Sequence, residues 1–111
     1  MVSDGVAFVG IGEVAAERAH SGNAYLEFLR VPSMSAGLYV LPAGGTDDQA
    51  PHRQDELYYV VRGKARMRAG PQDREVGRGM LIFVAASVEH RFHSIEEELE
   101  ILVFFAPAET G

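Results

Sequence analysis

No cysteine occurs among the 111 residues, which excludes disulfide staples, zinc-thiolate sites and cysteine nucleophiles. Any metal must then sit on imidazole, carboxylate, amide or water. Long apolar runs are also missing. No stretch approaches the roughly 18 residues that a membrane-spanning helix needs, and Met1 to Gly10 lacks the basic start of a secretory signal. A cytoplasmic protein with no membrane partner is the expectation. Basic residues are scarce, 10 against 16 Asp and Glu, for a formal net charge of -6. A polyanionic backbone is held mainly by clustered Lys and Arg, so nucleic acid is not an expected partner.

What is present fits one globular domain spanning residues 1–111, with 47% hydrophobic and 23% charged residues. From Ile11 to Ala19 the run IGEVAAERA is rich in helix formers, and Gly22 follows as a stop. His20 there suits the helix C-terminus, where its charge is favourable. The rest reads as β-branched, aromatic and aliphatic runs broken about every 8 to 12 residues by Gly, Pro, Asp and Ser, the rhythm of a sandwich or barrel. The expected strands run from Tyr25 to Val31, Ala36 to Leu41, Glu56 to Val61, Ala65 to Ala69, Arg74 to Val76, Leu81 to Val84, His90 to Phe92 and Glu100 to Phe105. Glu96, Glu97, Glu98 and Glu100 crowd one stretch, which reads as a solvated turn.

Residues that depart from a plain core pattern gather in PHRQDELYYVVRG, from Pro51 to Gly63, and in GMLIFVAASVEHRFH, from Gly79 to His93. Alternation along a strand places Glu56, Tyr58 and Val60 on one face, and His90 with Phe92 on one face. Arg91 and His93 then point the other way, leaving His93 at the surface or behind the site. His52 shares the parity of Glu56. Four residues of straight strand nevertheless span about 13 Å, whereas two ligands of one metal lie within about 3 to 4 Å. Arg53, Gln54 and Asp55 must therefore form a turn or bulge if His52 is to sit beside Glu56. Singly, His52 suits an exposed loop, Glu56 a solvent-facing strand and His90 a hydrogen-bonded core position.

Together these residues resemble the two motifs of the cupin family. The first motif is Gly, five residues, His-x-His, three or four residues, Glu, six residues, Gly. Here Gly44, Ala50, His52, Glu56 and Gly63 keep every spacing, with Ala50 in place of one ligand. The second motif is Gly, five residues, Pro-x-Gly, two residues, His, three residues, Asn. Gly79, Ala85, Ser87, His90 and Ser94 match its spacing, and only Gly79 and His90 match its residues. The resemblance covers Ala36 to Phe105 and implies an all-β double-stranded β-helix, a jelly-roll barrel of the RmlC-like kind, with residues 1–24 as a strand and helix extension before it.

That resemblance implies one divalent metal ion, Fe, Mn, Ni or Zn, on His52, Glu56 and His90. Two imidazoles and one carboxylate are similar to the ligand set of non-haem iron sites. Gln54 is a further ligand candidate, and Gln49 and Asp48 are weaker ones. Tyr58 and Phe92 are expected to face inward and wall the pocket, with Tyr58 as the nearest acid or hydrogen-bond donor, though for Phe92 simple core packing is the preferred reading. Tyr39 and Arg30 have no assignable place, because strand parity without register cannot position them. Two functions stay open: a small metalloenzyme acting on an oxygen-bearing small molecule, by dioxygenase-like or Lewis-acid isomerase, cyclase or lyase chemistry, or a non-catalytic module that binds or senses a small molecule. A homodimer through Tyr59 and the run from Glu100 to Phe105 is expected from the resemblance.

Overall fold

The computed structural model describes residues 2–110. The expected helix forms as α1, Ile11–Ser21, and ends at Gly22. The left-handed φ of 76° at Gly22 turns its N–H back onto the carbonyls of Arg18 and Ala19, the usual glycine termination. In the preceding extension the described residues 2–10 form one isolated bridge, Ser3 with Val6, rather than a strand.

Six strands follow: β1 (Tyr25–Val31), β2 (Met34–Leu41), β3 (Asp55–Ala69), β4 (Gln72–Gly77), β5 (Leu81–Val84) and β6 (His90–Ala106). All pair antiparallel in the order β1-β2-β6-β3-β4, and β5 also pairs with β3. Along one edge of β3 lie first β5, opposite Glu56 to Tyr59, and then β4, opposite Lys64 to Ala69; β6 follows the other edge. This is the jelly-roll, double-stranded β-helix architecture, and its interior holds Tyr58, Val60, Phe92, Leu99, Ile101, Val103 and Phe105.

Two pairs of expected strands are each one continuous strand. In β3 the buried positions are Glu56, Tyr58 and Val60, then Ala65 and Met67, so the inward parity switches from even to odd. An extra residue at a bulge does this, and the β3–β6 register shifts between Val60 and Arg66. Gly63 makes the kink possible: its φ is 107°, and a Cβ there would lie 2.3 Å from the Glu98 carbonyl oxygen. In β6 the same switch separates buried His90 and Phe92 from buried Ile95, Leu99 and Ile101, with Ser94 at φ 50° between them.

The glutamate run is therefore strand, not the turn expected from its composition. Its outward carboxylates meet cations on β3: Arg62 bonds Glu98 and Glu100 at 3.0 Å each, and Lys64 lies 3.3 Å from Glu96. Cross-strand neutralisation offsets the repulsion that made the run look unfit for a sheet.

Candidate metal centre

The imidazoles stand where loops meet the strands, and backbone hydrogen bonds stitch those two places together. His52 lies before β3, and bends at Arg53 and Gln54 fold the chain back as the straight-strand distance required. The His52 carbonyl accepts the Ser87 N–H at 2.7 Å, and the Asp55 carboxylate accepts the Ala86 N–H at 2.8 Å. This ties the start of β3 to the loop leading into β6, where His90 begins the strand. His52 Nε2 thereby comes to 3.9 Å and His90 Nε2 to 3.1 Å from the same Glu56 oxygen, Oε1. One ligand atom from each of the three residues lies within 4.8 Å of the other two.

The hydrogen bonds around the rings determine what the cluster can do. His90 Nδ1 is 2.8 Å from the Val88 carbonyl oxygen, and His52 Nδ1 is 3.0 Å from a Glu109 carboxylate oxygen. Both partners only accept, so both Nδ1 atoms carry the proton, and in the neutral rings both Nε2 lone pairs face Glu56. His90 Nε2 and Glu56 Oε2 are buried with no hydrogen-bond partner. Unpaired buried acceptors are costly, and a cation among them would relieve that cost. The residues therefore fit a divalent metal, for which imidazole and carboxylate are suitable ligands.

Proton affinity points the same way. Burial alone would lower the pKa of His90, but the neighbouring Glu56 carboxylate, the Val88 carbonyl and the Asp47 charge outweigh it and hold the imidazole above its ordinary value. The site draws positive charge.

Gln49 closes the cluster on a further side. Its Oε1 is 3.3 Å from His52 Nε2, and the Tyr58 hydroxyl donates to it at 3.4 Å. The Gln49 Nε2 donates to Asp47 at 3.0 Å; Asp47 also accepts the Tyr39 hydroxyl at 2.7 Å and the Phe92 N–H at 2.9 Å. Ala50, at the expected ligand position, is exposed, as is Asp48. Gln54 donates to the Thr110 hydroxyl at 2.9 Å and shows no bond to the cluster.

Beside the cluster is a cavity of about 190 Å³ walled by Tyr25, Tyr39, Val103 and Phe105, with Gln49, His52 and Glu109 completing it. Gly37 makes room for the Tyr25 ring, since a Cβ there would lie 2.2 Å from the Tyr25 Cζ. Tyr58 and Phe92 are 0% and 1% exposed and pack edge to face in the core, and neither is among the residues that wall this cavity. Even strand positions at that depth point into a filled interior. Burial, together with the Glu56 charge, pushes the Tyr58 phenol far above its ordinary pKa, so it donates a hydrogen bond and keeps its proton. A second, more polar recess reaches His90 between Arg68 and Arg91. His93 faces away from the cluster and lies 3.0 Å from Asp73.

Sequence reasoning missed Asp47 and Glu109. Asp47 stands in a polar loop with no periodicity to mark it as buried. Glu109 arrives on the C-terminal segment, which is tied down by Arg30 to the Glu109 carbonyl at 2.7 Å and by the Glu109 N–H to Ser35 at 2.9 Å. Neither contact has a signature in the local sequence.

Comparison with known proteins agrees with this fold. A family model described as "Cupin domain" matches residues 37–105. An uncharacterized protein of Streptomyces coelicolor is 50% identical over 100 residues, covering 90% of this chain and 95% of its own. Among solved structures, a Thermus thermophilus protein matches with a TM-score of 0.72 at 20% identity, over 91% of this chain and 97% of its own. An RmlC-like cupin from Shewanella frigidimarina matches at 0.70 and 19% identity, over 76% and 75%. A DMSP lyase from Ruegeria pomeroyi matches at 0.67 and 20% identity, over 79% of this chain and 49% of the lyase. These structural likenesses are likenesses of fold.

Proposed function

This chain belongs to the cupin domain family, and on that footing we propose that it is a small metalloenzyme that holds one divalent ion on His52, Glu56 and His90 and acts on a small oxygen-bearing molecule. The observation that carries the reading is the convergence of two imidazole Nε2 atoms on one buried carboxylate, each ring already committed through Nδ1 to an acceptor. Iron, manganese, nickel and zinc all suit this donor set. A bound ion would polarise a carbonyl or hydroxyl as a Lewis acid, and iron would add dioxygen chemistry.

The chain's own residues select the ligand. Tyr25 belongs to the cavity wall and presents its ring there, while its hydroxyl is buried over Gly37 without a partner. Neither Lys nor Arg lines the cavity, and Glu109 does, which disfavours a multiply charged anion. At about 190 Å³ the space is below the roughly 300 Å³ at which drug-sized pockets begin, so the substrate is compact. Tyr25, Tyr39 and Phe105 would exclude water from it and supply flat apolar contact.

A non-catalytic binding or sensing module is the second reading, favoured by the depth of the site, where the side chains of Glu56 and His90 are each 1% exposed. The reading includes a cytoplasmic location; no helix among the described residues is long and apolar enough to cross a membrane. It also includes a homodimer. Phe83, Leu57 and Phe104 form one cross-strand row, and Leu81, Tyr59 and Leu102 form the next. Leu81 and Phe83 are 65% and 64% exposed on the short strand β5, an apolar face suited to burial against a second copy.

The test is calorimetric titration of chelator-treated protein with Fe(II), Mn(II), Ni(II) and Zn(II). One ion should bind per chain, and the His52→Ala/His90→Ala double variant should lose it while circular dichroism shows an intact barrel. Equal binding by that variant would end the metal assignment. Oxygen uptake or turnover by the loaded protein then separates the enzyme from the binding module.

A further inference from the structure

Position 50, where the first cupin motif carries an imidazole, is an exposed alanine here, so the three-residue cluster is one donor short of the family pattern. Resting on the metal reading above, we infer that Gln49 supplies the missing ligand through its side-chain oxygen, one residue earlier in the loop. The argument starts from what orients the amide. Gln49 Nε2 donates to Asp47 at 3.0 Å, and Asp47 is itself buried and held by the Tyr39 hydroxyl and the Phe92 N–H. A carboxylate can only accept, so it fixes which end of the amide is nitrogen. Oε1 is therefore the end that lies 3.3 Å from His52 Nε2.

The donors and acceptors around this point do not balance without a cation. His52 Nε2, His90 Nε2, Glu56 Oε1 and Gln49 Oε1 all present lone pairs when both rings are neutral, while the Tyr58 hydroxyl, at 3.4 Å from Gln49, is the one donor bonded to them among the described residues. Four acceptors with one distant donor make a poor hydrogen-bond network and a good metal cage. An amide oxygen is a neutral ligand, so replacing an imidazole with Gln49 keeps the net charge of the ligand set unchanged. It also shifts the donor set toward oxygen, which favours harder first-row ions such as Mn(II) and Fe(II) over Zn(II).

The experiment compares chelator-treated wild type, Gln49→Ala, Gln49→Glu and His90→Ala, titrated with Co(II) and Mn(II) by calorimetry and, for Co(II), by the visible spectrum of the bound ion. Loss of even an outer contact to a metal site typically costs about 10 to 100-fold in affinity. Gln49→Ala should therefore weaken binding by at least about tenfold and change the Co(II) spectrum. Gln49→Glu removes the amide N–H that Asp47 accepts and sets a second carboxylate beside it, so it should weaken binding as well, and metal-free melts and circular dichroism that match wild type guard against a mere folding defect in either variant. If Gln49→Ala matches wild type in affinity and spectrum while His90→Ala loses the ion, Gln49 is not a ligand and the metal reading stands. If wild type binds no ion, the metal reading fails and takes the Gln49 assignment with it.

Discussion

The Glu109 carboxylate lies 3.0 Å from Nδ1 of His52, on the ring nitrogen opposite the one that faces Glu56. Such a pair keeps the imidazole proton on Nδ1 and leaves the Nε2 lone pair free to ligate, as carboxylate–histidine pairs do in metal sites. Glu109, far along the chain from His52, thus orients the imidazole that the proposed metal site would use.

Replacing Glu109 by Ala should lower metal affinity by about 10 to 100-fold with little change in the unfolding temperature, because the backbone bonds that hold this segment remain. Calorimetric titration measures the first quantity and a thermal melt the second. Nitrogen chemical shifts of His52 should show loss of the single tautomer. Unaltered affinity and shifts would leave Glu109 as a surface contact.

Metal should stabilise the fold. A ligand at about 100 times its dissociation constant adds about 2.7 kcal/mol, and for a domain of about 60–100 residues each kcal/mol moves the melting temperature by about 4–8 °C. The loaded protein should therefore melt on the order of 10 °C above the chelated one, and the His52→Ala/His90→Ala variant should show no such gap.

Gly63→Ala should destabilise the barrel by more than about 2 kcal/mol, since the new Cβ meets a backbone carbonyl and the φ of 107° strains any L side chain. Urea unfolding reads this directly. A small effect would mean that the β3 bulge relaxes.

Tyr58→Phe keeps the edge-to-face packing with Phe92 and removes only the hydroxyl that reaches Gln49. The expected cost is about 0.5–1.5 kcal/mol, with a smaller effect on metal affinity than Gln49→Ala. Abolished turnover in a folded, fully loaded variant would instead make the phenol a participant in the chemistry.

Leu81→Lys combined with Phe83→Lys should convert a dimer to a monomer in light scattering, with the melt of the metal site unchanged. Wild-type protein that runs as a monomer at all concentrations would remove the dimer from the proposal.

Much of the candidate site is legible in the sequence because residue spacing within a motif is local. His52 and Glu56 are close in sequence, and the need for a bend between them followed from strand rise alone. Strand parity put Glu56 and Tyr58 inward, and the structure agrees. Parity did not carry through the bulges at Gly63 and Ser94, which a one-residue slip makes invisible to a pattern of period 2. The glutamate run misled for a related reason: composition does not register the Arg62 and Lys64 that lie opposite.

Residue order alone settled the class of fold, the glycine stop of α1 and the three residues able to meet at a cation, because each depends on short-range periodicity or on motif spacing. Only the tertiary structure decided that the Gln49 side chain comes within 3.3 Å of His52 Nε2, that Asp47 accepts from its amide, and that the Glu109 carboxylate meets His52 Nδ1. Those relationships arise where aperiodic loops and a terminal segment meet across the barrel mouth, and their geometry depends on the packing of every strand beneath them.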